Sequence, residues 1–543
     1  MKKAPVTLFL SSLALAAAVT GCSKSSDTGA AAKSEAKTVL EYASTKDVRD
    51  INPHLYLGEM AAQAMVFDSL VRVLPGGKIV PALAESWEIS PDGRVYTFHL
   101  RPGVRYTDGA PFDAASVKMN IDAILENKSR HAWLDLINEI ESNEAVDTLT
   151  WRLTLRHPYF PTLIELGVPR PFRFISPRCM KNGSTKDGVT CLAGTGPWVL
   201  AEHKRDQYAL FKVNPDYYGD KPAIPAVRWN VLPDPQTMLM ALEKGGIDLI
   251  YGNDGDQLTS EAFDKLRADP KFSVHLSDPI ASRAVLVNTA APLTKDLALR
   301  EALSYAVNRE AVIKGVLNGM EEPAVTLFAR SVPYCDVDLK TRPYNPERAK
   351  EILESNGWKT GGDGIRVKDG RRCTLAFYFN TQNTQEKRIA LAVQADLAAM
   401  GIDVQVIGEE KQMFLDRQRT GKFDLQYALS WGAPYDPQSY LSSWRTPAHA
   451  DFRAQEGLPD KKEIDKTIGL LMTEADQARR RAMVAGIITR MADEAVYIPI
   501  SFARIKAVSR ANIEGVGFAA SQYEIPFEGM RFADHAKKSG QTK

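Results

Sequence analysis

The chain has 543 residues, 44% hydrophobic and 25% charged, with 31 Pro, 36 Gly and five Cys. That is room for two or three domains with substantial cores, and it excludes a disordered chain, a collagen-like chain and a small disulfide scaffold. With 68 Lys plus Arg against 67 Asp plus Glu, the formal charge of +1 is far from the basic balance of a nucleic-acid protein.

Lys2 and Lys3 form a basic n-region, and Val6 to Val19 is an almost uninterrupted run of apolar and small residues. Fourteen residues are too few to span about 30 Å of hydrocarbon as a permanent helix, so residues 1–21 read as a cleaved export signal. Its end, Val19-Thr20-Gly21-Cys22, looks like a lipobox in which Cys22 is lipidated and becomes the new first residue. The acyl chains would anchor the mature protein stably to a membrane. Residues 22–37 then read as a tether, since Ser23 to Lys37 contains only Ser, Lys, Asp, Thr, Gly, Ala and Glu and cannot bury enough surface to fold. Removal of the signal leaves 522 residues and a formal charge of −1.

Further along, Pro91-Asp92-Gly93 predicts a turn and Tyr96 to Leu100 an alternating strand. Lys295 to Leu317 predicts a helix on the spacing of Leu299, Leu303, Ala306, Ile313 and Val316, with Asp296 in its first turn. Cys373, Leu375, Phe377 and Phe379 share one strand face, Ile389, Val393, Leu397 and Met400 one helix face, and Ile402, Val404 and Val406 alternate again after Gly401. This strand–helix–strand run is an α/β unit, with Gly401 at a left-handed C′ position. Ile464 to Glu494 predicts a helix broken near Gly486, and Val496 to Ile500 a strand ending at an edge or bulge, because Pro499 cannot donate a ladder hydrogen bond.

With Cys22 lipidated, Cys179, Cys191, Cys335 and Cys373 remain and permit three pairings. The local solution is Cys179–Cys191 plus Cys335–Cys373, and export makes both oxidations allowed. The alternative is four unpaired thiols, some of them small apolar core residues. No Cys-x₂₋₄-Cys spacing suggests a metal site. Enzyme signatures are scarce: there is no Gly-x-Ser-x-Gly, no Gly-x-Gly-x-x-Gly and no His-Glu-x-x-His, and the eight histidines include no i,i+4 pair. Composition and periodicity therefore reach an exported, tethered, multidomain α/β protein.

Several segments carry a resemblance that goes further. Leu83-Ala84-Glu85-Ser86-Trp87 with Asp92-Gly93, Leu100-Arg101-Pro102-Gly103-Val104 through Asp108-Gly109, Gly194-Thr195-Gly196-Pro197-Trp198, Asn214 to Tyr218, and Asn288-Thr289 with Arg300-Glu301-Ala302-Leu303 run in one order over nearly the whole mature chain. In these the chain resembles the large solute-binding proteins of ABC importers that carry dipeptides, oligopeptides and nickel complexes. Asn52-Pro53-His54-Leu55-Tyr56, Arg130-His131-Ala132-Trp133-Leu134, Pro169 to Phe174, Ile407-Gly408-Glu409-Glu410, Trp431 to Pro437 and His449-Ala450-Asp451-Phe452 are similar to the nickel-binding members.

The resemblance implies an α/β, two-lobed periplasmic-binding-protein type II fold of the large peptide/nickel-binder subclass. Lobe I would hold residues 38–279 with an extra subdomain at about 82–200, and lobe II 280–500. Residues 501–543 would return to complete lobe I and end in a tail, and the crossings would lie at Leu286 to Thr289 and near Ile500. Closure would rotate the lobes about these crossings. Arg130, Trp133, Arg170, Trp431, Tyr435 and His449 would line the cleft, with Tyr56 and Met60 at further cleft positions.

The implied cargo is Ni(II) already chelated by histidine or a carboxylate-rich small molecule, carried as cargo and not as a catalytic cofactor. One histidine cannot fill the coordination sphere of Ni(II), so the chelator must supply the other donors. His449 would reach the metal, with an acceptor on its other nitrogen. Arg130 and Arg170 would clamp carboxylates, and Trp133, Trp431 and Tyr435 would wall the site. Arg173 would be structural or a lesser neighbour. Tyr523 departs from the nickel binders, which have a small hydroxyl residue there, and as a ligand-binding position it bears on which chelator fits. The partners would be the importer's permease and ATPase subunits and, through Cys22, a lipid membrane; the protein would act extracytoplasmically, as a monomer. A dipeptide or oligopeptide binder is the main alternative, another metal chelate a variant of the first reading, and an enzyme on the same scaffold the least favoured.

Overall fold

The computed structural model describes residues 37–252 and 257–533. The signal, Cys22 and the C-terminal tail after residue 533 lie outside the described residues. Two large mixed sheets organise the body. The first orders Trp198–Lys204, Tyr208–Val213, Ala226–Val231, Val39–Ser44, Leu249–Gly252, Lys506–Arg510 and Phe272–Leu276. The second orders Glu322–Pro323, Tyr497–Ala503, Ala281–Val287, Leu425–Leu429, Thr374–Asn380 and Asp403–Glu409. Each is the spine of one lobe of a mixed α/β, two-domain periplasmic-binding-protein fold. Ala281–Val287 is buried at every residue, as a central strand covered on both faces must be.

The strand–helix–strand unit is Thr374–Asn380, Thr384–Ala398 and Asp403–Glu409, its strands parallel, with Gly401 in the left-handed conformation. The strand at Val95–Leu100 is also present, in a four-stranded antiparallel sheet with Ala84–Ile89, Thr150–Leu155 and Ile140–Ala145, packed under the helix Ala114–Glu126. Pro499 sits at a bulge: Arg283 pairs with Ser501 and Ala284 with Pro499, so Ile500 is the extra residue.

Three expectations need correction. The helix read over Lys295 to Leu317 is two helices, Leu297–Ala306 and Arg309–Val316, because Asn308 caps the second by accepting from the Ala311 amide; Asp296 is the N-cap of the first. The second long helix breaks not near Gly486 but between Lys461–Thr473 and Gln477–Asp493, where Asp476 accepts from the Arg479 amide. A cap that satisfies unpaired amides restarts a helix whatever the apolar spacing suggests. The first crossing lies at residues 277–280, between Phe272–Leu276 and Ala281–Val287, since Leu286 and Val287 are inside the second sheet. It is bonded to the returning crossing: the Ser277 amide donates to the Ile505 carbonyl at 3.0 Å and the Ile280 amide to the Ala503 carbonyl at 2.9 Å.

The cysteines divide. Cys179 and Cys191 form a disulfide with a Cα–Cα distance of 4.8 Å, enclosing the strand pair Met180–Lys181 and Ser184–Val189. Closing so short a loop is worth on the order of 3 kcal/mol. Cys335 and Cys373 are free and buried, so the second expected bridge does not exist. Cys373 leads the central strand Thr374–Asn380 in one apolar cluster and Cys335 belongs to another. Burial pushes the Cys373 thiol up to about 12 and raises Cys335 too, which keeps both protonated and inert.

Candidate functional site

Gly194 and Gly196 show why the Gly-Thr-Gly-Pro-Trp motif matters to the site. A Cβ on Gly194 would lie 2.0 Å from the Val66 carbonyl oxygen and one on Gly196 2.6 Å from that of Met65, so the motif lets the helix Met60–Val66 seat against it. The turn before that helix is pinned by Gln63, whose amide donates to the carbonyls of Asn52 at 2.7 Å and Leu55 at 3.1 Å. Tyr56 projects from this pinned turn.

Tyr56 organises the lobe I wall. Trp133 Nε1 can only donate, and it donates to the Tyr56 hydroxyl at 2.5 Å. The Tyr56 proton is then free to go to His131 Nδ1, 2.7 Å away, which makes His131 an acceptor at Nδ1 with its own proton on Nε2. Burial, helped by the Arg130 charge, holds His131 down at about 4, so it is neutral as this chain of bonds requires. Burial also lifts the Tyr56 phenol to about 12. The Arg170 guanidinium lies over the Tyr56 ring, 4.7 Å from its centroid.

Arg170 is half-buried, and burial lowers its pKa. Among the described residues its guanidinium makes one hydrogen bond, to the Gly58 carbonyl at 3.1 Å, and no ion pair. Its surroundings are the phenols of Tyr56, Tyr435 and Tyr523, with Glu59 the nearby carboxylate. Arg173, three residues on, has the opposite fate. It is buried and donates to the carbonyls of Val168 and Phe67 and to Glu524 at 2.6 Å, fastening the return segment to lobe I.

Rings build the lobe II wall. Trp431 lies 6.0 Å from Tyr435 and 5.7 Å from the His449 imidazole, and its carbonyl accepts from Gln522 at 3.1 Å. The two walls touch through Trp133, 5.6 Å from Trp431 edge to face and 6.2 Å from Tyr435. Such aromatic pairs add about 0.5–1.5 kcal/mol each beyond the area they bury. His449 is the N-cap of the helix Ala450–Gln455 and is half-buried; burial lowers its pKa, against the opposing charges of Asp451 and Asp135. Burial thus favours the neutral imidazole. No acceptor bonds either ring nitrogen among the described residues, and Asp451 is instead taken by the hydroxyls of Tyr440 at 2.6 Å and Tyr497 at 2.9 Å.

The structure therefore brings Tyr56, Trp133, Arg170, Trp431, Tyr435 and His449 into one connected group, with Tyr523 beside Arg170 and Tyr435. Arg130 stands exposed at the margin, where its charge still acts on Tyr56 and His131. Met60 opens its helix, half-buried, outside the ring contacts. The sequence reading missed the roles of His131 and Asp451; both sit inside the quoted segments, but only the fold reveals their partners. Among the described residues no three His, Cys, Asp or Glu side chains are grouped so as to hold a metal ion. A separate cavity of about 210 Å³, bounded by Asp68, Arg72, Arg173, Pro434 and Glu524, borders the return segment but is lined by none of these rings.

Comparison with known proteins places this geometry. The nickel-binding periplasmic protein of Escherichia coli (strain K12) is 44% identical over 487 residues, 89% of this chain and 93% of the relative. The crystal structure of NikA from Brucella suis in complex with Fe(III)-EDTA superposes with a TM-score of 0.89 at 42% identity, covering 91% of this chain and 100% of that one. NikZ from Campylobacter jejuni in complex with Ni(L-His) shares the fold, with a TM-score of 0.76 at 24% identity over 91% and 100% of the two chains. The profile of the bacterial extracellular solute-binding proteins, family 5 Middle, matches residues 78–452. The chain belongs to the bacterial extracellular solute-binding proteins of family 5, the nickel and peptide binders of ABC importers.

Proposed function

We propose that the cleft grips a nickel chelate at two points, Arg170 taking a carboxylate of the organic shell and His449 giving one nitrogen to the metal. The protein binds a nickel-chelate complex outside the cytoplasm and delivers it to an ABC importer; it is a binding protein, not an enzyme, and nickel is its cargo. The observation that carries the two-point reading is Arg170, a half-buried guanidinium with no ion pair among the described residues. A planar fork of donors in a partly desolvated aromatic setting fits a carboxylate that arrives with the cargo.

Ni(II) takes several nitrogen or oxygen donors, and a single imidazole leaves the rest to the chelator. The complex of the Brucella suis relative with Fe(III)-EDTA, a carboxylate-rich chelate, supports this division of labour. Trp133, Trp431 and Tyr435 would cover the apolar parts of the shell, and Tyr56, Tyr523, Met60 and Arg130 would complete the margin. The lobe bound at about 279 is supported by the strand membership of the two large sheets. The return bound fits about 503 better than 500, because Tyr497–Ala503 is one strand of the second sheet. The separate four-stranded sheet supports an extra subdomain within 82–200 that ends before the first-sheet strand Trp198–Lys204. The finer reading of the amino end is that Cys22 carries the lipid anchor; mass spectrometry of the mature amino terminus tests it.

Calorimetry of the lipid-free body with nickel alone, nickel plus L-histidine, and a set of dipeptides tests the function. Strong heat with nickel plus histidine and little with the bare ion is expected. Tight binding of a dipeptide without response to the chelate would overturn the reading in favour of a peptide carrier.

A further inference from the structure

The helix Gln438–Ser443 joins the ring wall to His449 in sequence, and it is held from the opposite lobe by two carboxylates. Ser439 and Ser442, three residues apart, lie on one face of it. The Ser439 hydroxyl donates to Glu165 Oε1 at 2.8 Å, and the Ser442 hydroxyl donates to Asp135 Oδ2. Arg445, just beyond the helix, donates to the same Asp135 oxygen at 2.5 Å and to the Ser442 hydroxyl at 2.8 Å. Partners 274 to 310 residues apart in the chain meet here, all of them across the lobe boundary.

Glu165 is fully buried and is steadied from its own side by the Tyr159 hydroxyl at 2.7 Å and the Leu136 amide at 3.1 Å. One backbone bond reinforces the contact, from the Phe160 amide to the Met472 carbonyl at 2.8 Å. Apolar packing runs across as well: Leu134, Ile137 and Tyr159 share a single cluster with Tyr440, Trp444, Leu471 and Ile487. Tyr440 also meets the cleft ring Trp431, 6.0 Å away, whereas among the described residues no hydrogen bond or ring contact joins Asp135 or Glu165 to a cleft ring.

From this arrangement we infer that Asp135 and Glu165 are closure residues, lobe I carboxylates that capture the lobe II helix Gln438–Ser443 when the lobes shut and so set how long cargo stays. The inference rests on the cleft reading above. In an open molecule both carboxylates regain water, and Ser439, Ser442 and Arg445 lose their partners. On closure Asp135 exchanges water for the Ser442 hydroxyl and the Arg445 guanidinium, a charge-assisted bond of the strong kind, and Glu165 gains the Ser439 hydroxyl. The same bonds fix the helix that leads into His449, so closing and presenting the imidazole are one movement. Asp135 and Glu165 are positioning residues: they act on the cargo through the helix and do not touch it.

The test labels one surface position on each lobe for energy transfer and follows opening and closing with and without nickel plus L-histidine, alongside stopped-flow release of that chelate. Asp135→Asn and Ser439→Ala should each raise the opening and release rates on the order of tenfold while the association rate stays within about twofold. Arg445→Gln should match Asp135→Asn, and the double variant should be no worse than either alone. Unchanged opening rates overturn the inference, as does a loss of affinity carried by the association rate. Should Asp135→Asn fail to fold, Ser439→Ala carries the test, because Glu165 keeps its lobe I partners. Failure of the cleft reading looks different: the unsubstituted protein would take up no nickel–histidine, while the labelled, cargo-free protein would still report whether the carboxylates govern opening.

Discussion

The lobe I wall of the cleft is held by hydrogen bonds and the lobe II wall by ring packing. On the first, Trp133, Tyr56 and His131 form a directed chain of donors and acceptors, and Arg170 lies on the ring that the chain fixes. On the second, Trp431, Tyr435 and His449 meet at ring distances near 6 Å, with no hydrogen bond to the imidazole among the described residues. The difference fits the roles proposed for the two sides: a guanidinium that is to recognise a carboxylate gains from being held in one orientation, whereas a ring that is to give one nitrogen to a metal can settle as the lobes close.

Breaking the comparison at its most structural point gives the largest effect. Arg173→Ala removes a buried guanidinium from two carbonyls and Glu524, and denaturant unfolding should show a loss of about 3 kcal/mol, while Arg170→Ala, three residues away, should leave stability within about 1 kcal/mol. His449→Ala comes next. Calorimetry should find nickel–histidine bound more weakly by more than the roughly 10–100-fold that loss of an outer partner costs a metal site, and an unchanged affinity would remove the metal from His449. Arg170→Lys keeps the charge but not the fork, so affinity should fall about 10–50-fold with the same unfolding midpoint. Arg130→Lys, at an exposed position, should cost less than about fivefold. The smallest effect is a count: the unfolded, unreduced protein should expose two titratable thiols, at Cys335 and Cys373, and finding none would restore the second bridge.

Much of this was legible before folding. The strand–helix–strand run over residues 374–409 announced itself because its period changed from two to 3.6 and back, with Gly401 marking the switch. The proposed cleft residues came only from resemblance; nothing in the local pattern around Arg170 separates it from Arg173, and their opposite surroundings are set by Tyr56 and Glu524, over 100 and over 300 residues away in the chain. Helix breaks were misread where a single cap outweighed apolar spacing, at Asn308 and Asp476. The Cys335–Cys373 pairing failed because closeness in sequence says nothing about which apolar cluster a thiol joins. Asp135 and Glu165 carried no signal at all, since a carboxylate on a short helix looks like surface until the other lobe covers it.

Diffraction from crystals grown with nickel and L-histidine, recorded at the nickel absorption edge, tests the central claim most directly. The anomalous peak should fall within bonding distance of a His449 ring nitrogen, with a chelator carboxylate against the Arg170 guanidinium. A peak remote from His449, or a chelate whose carboxylates point away from Arg170, would contradict it.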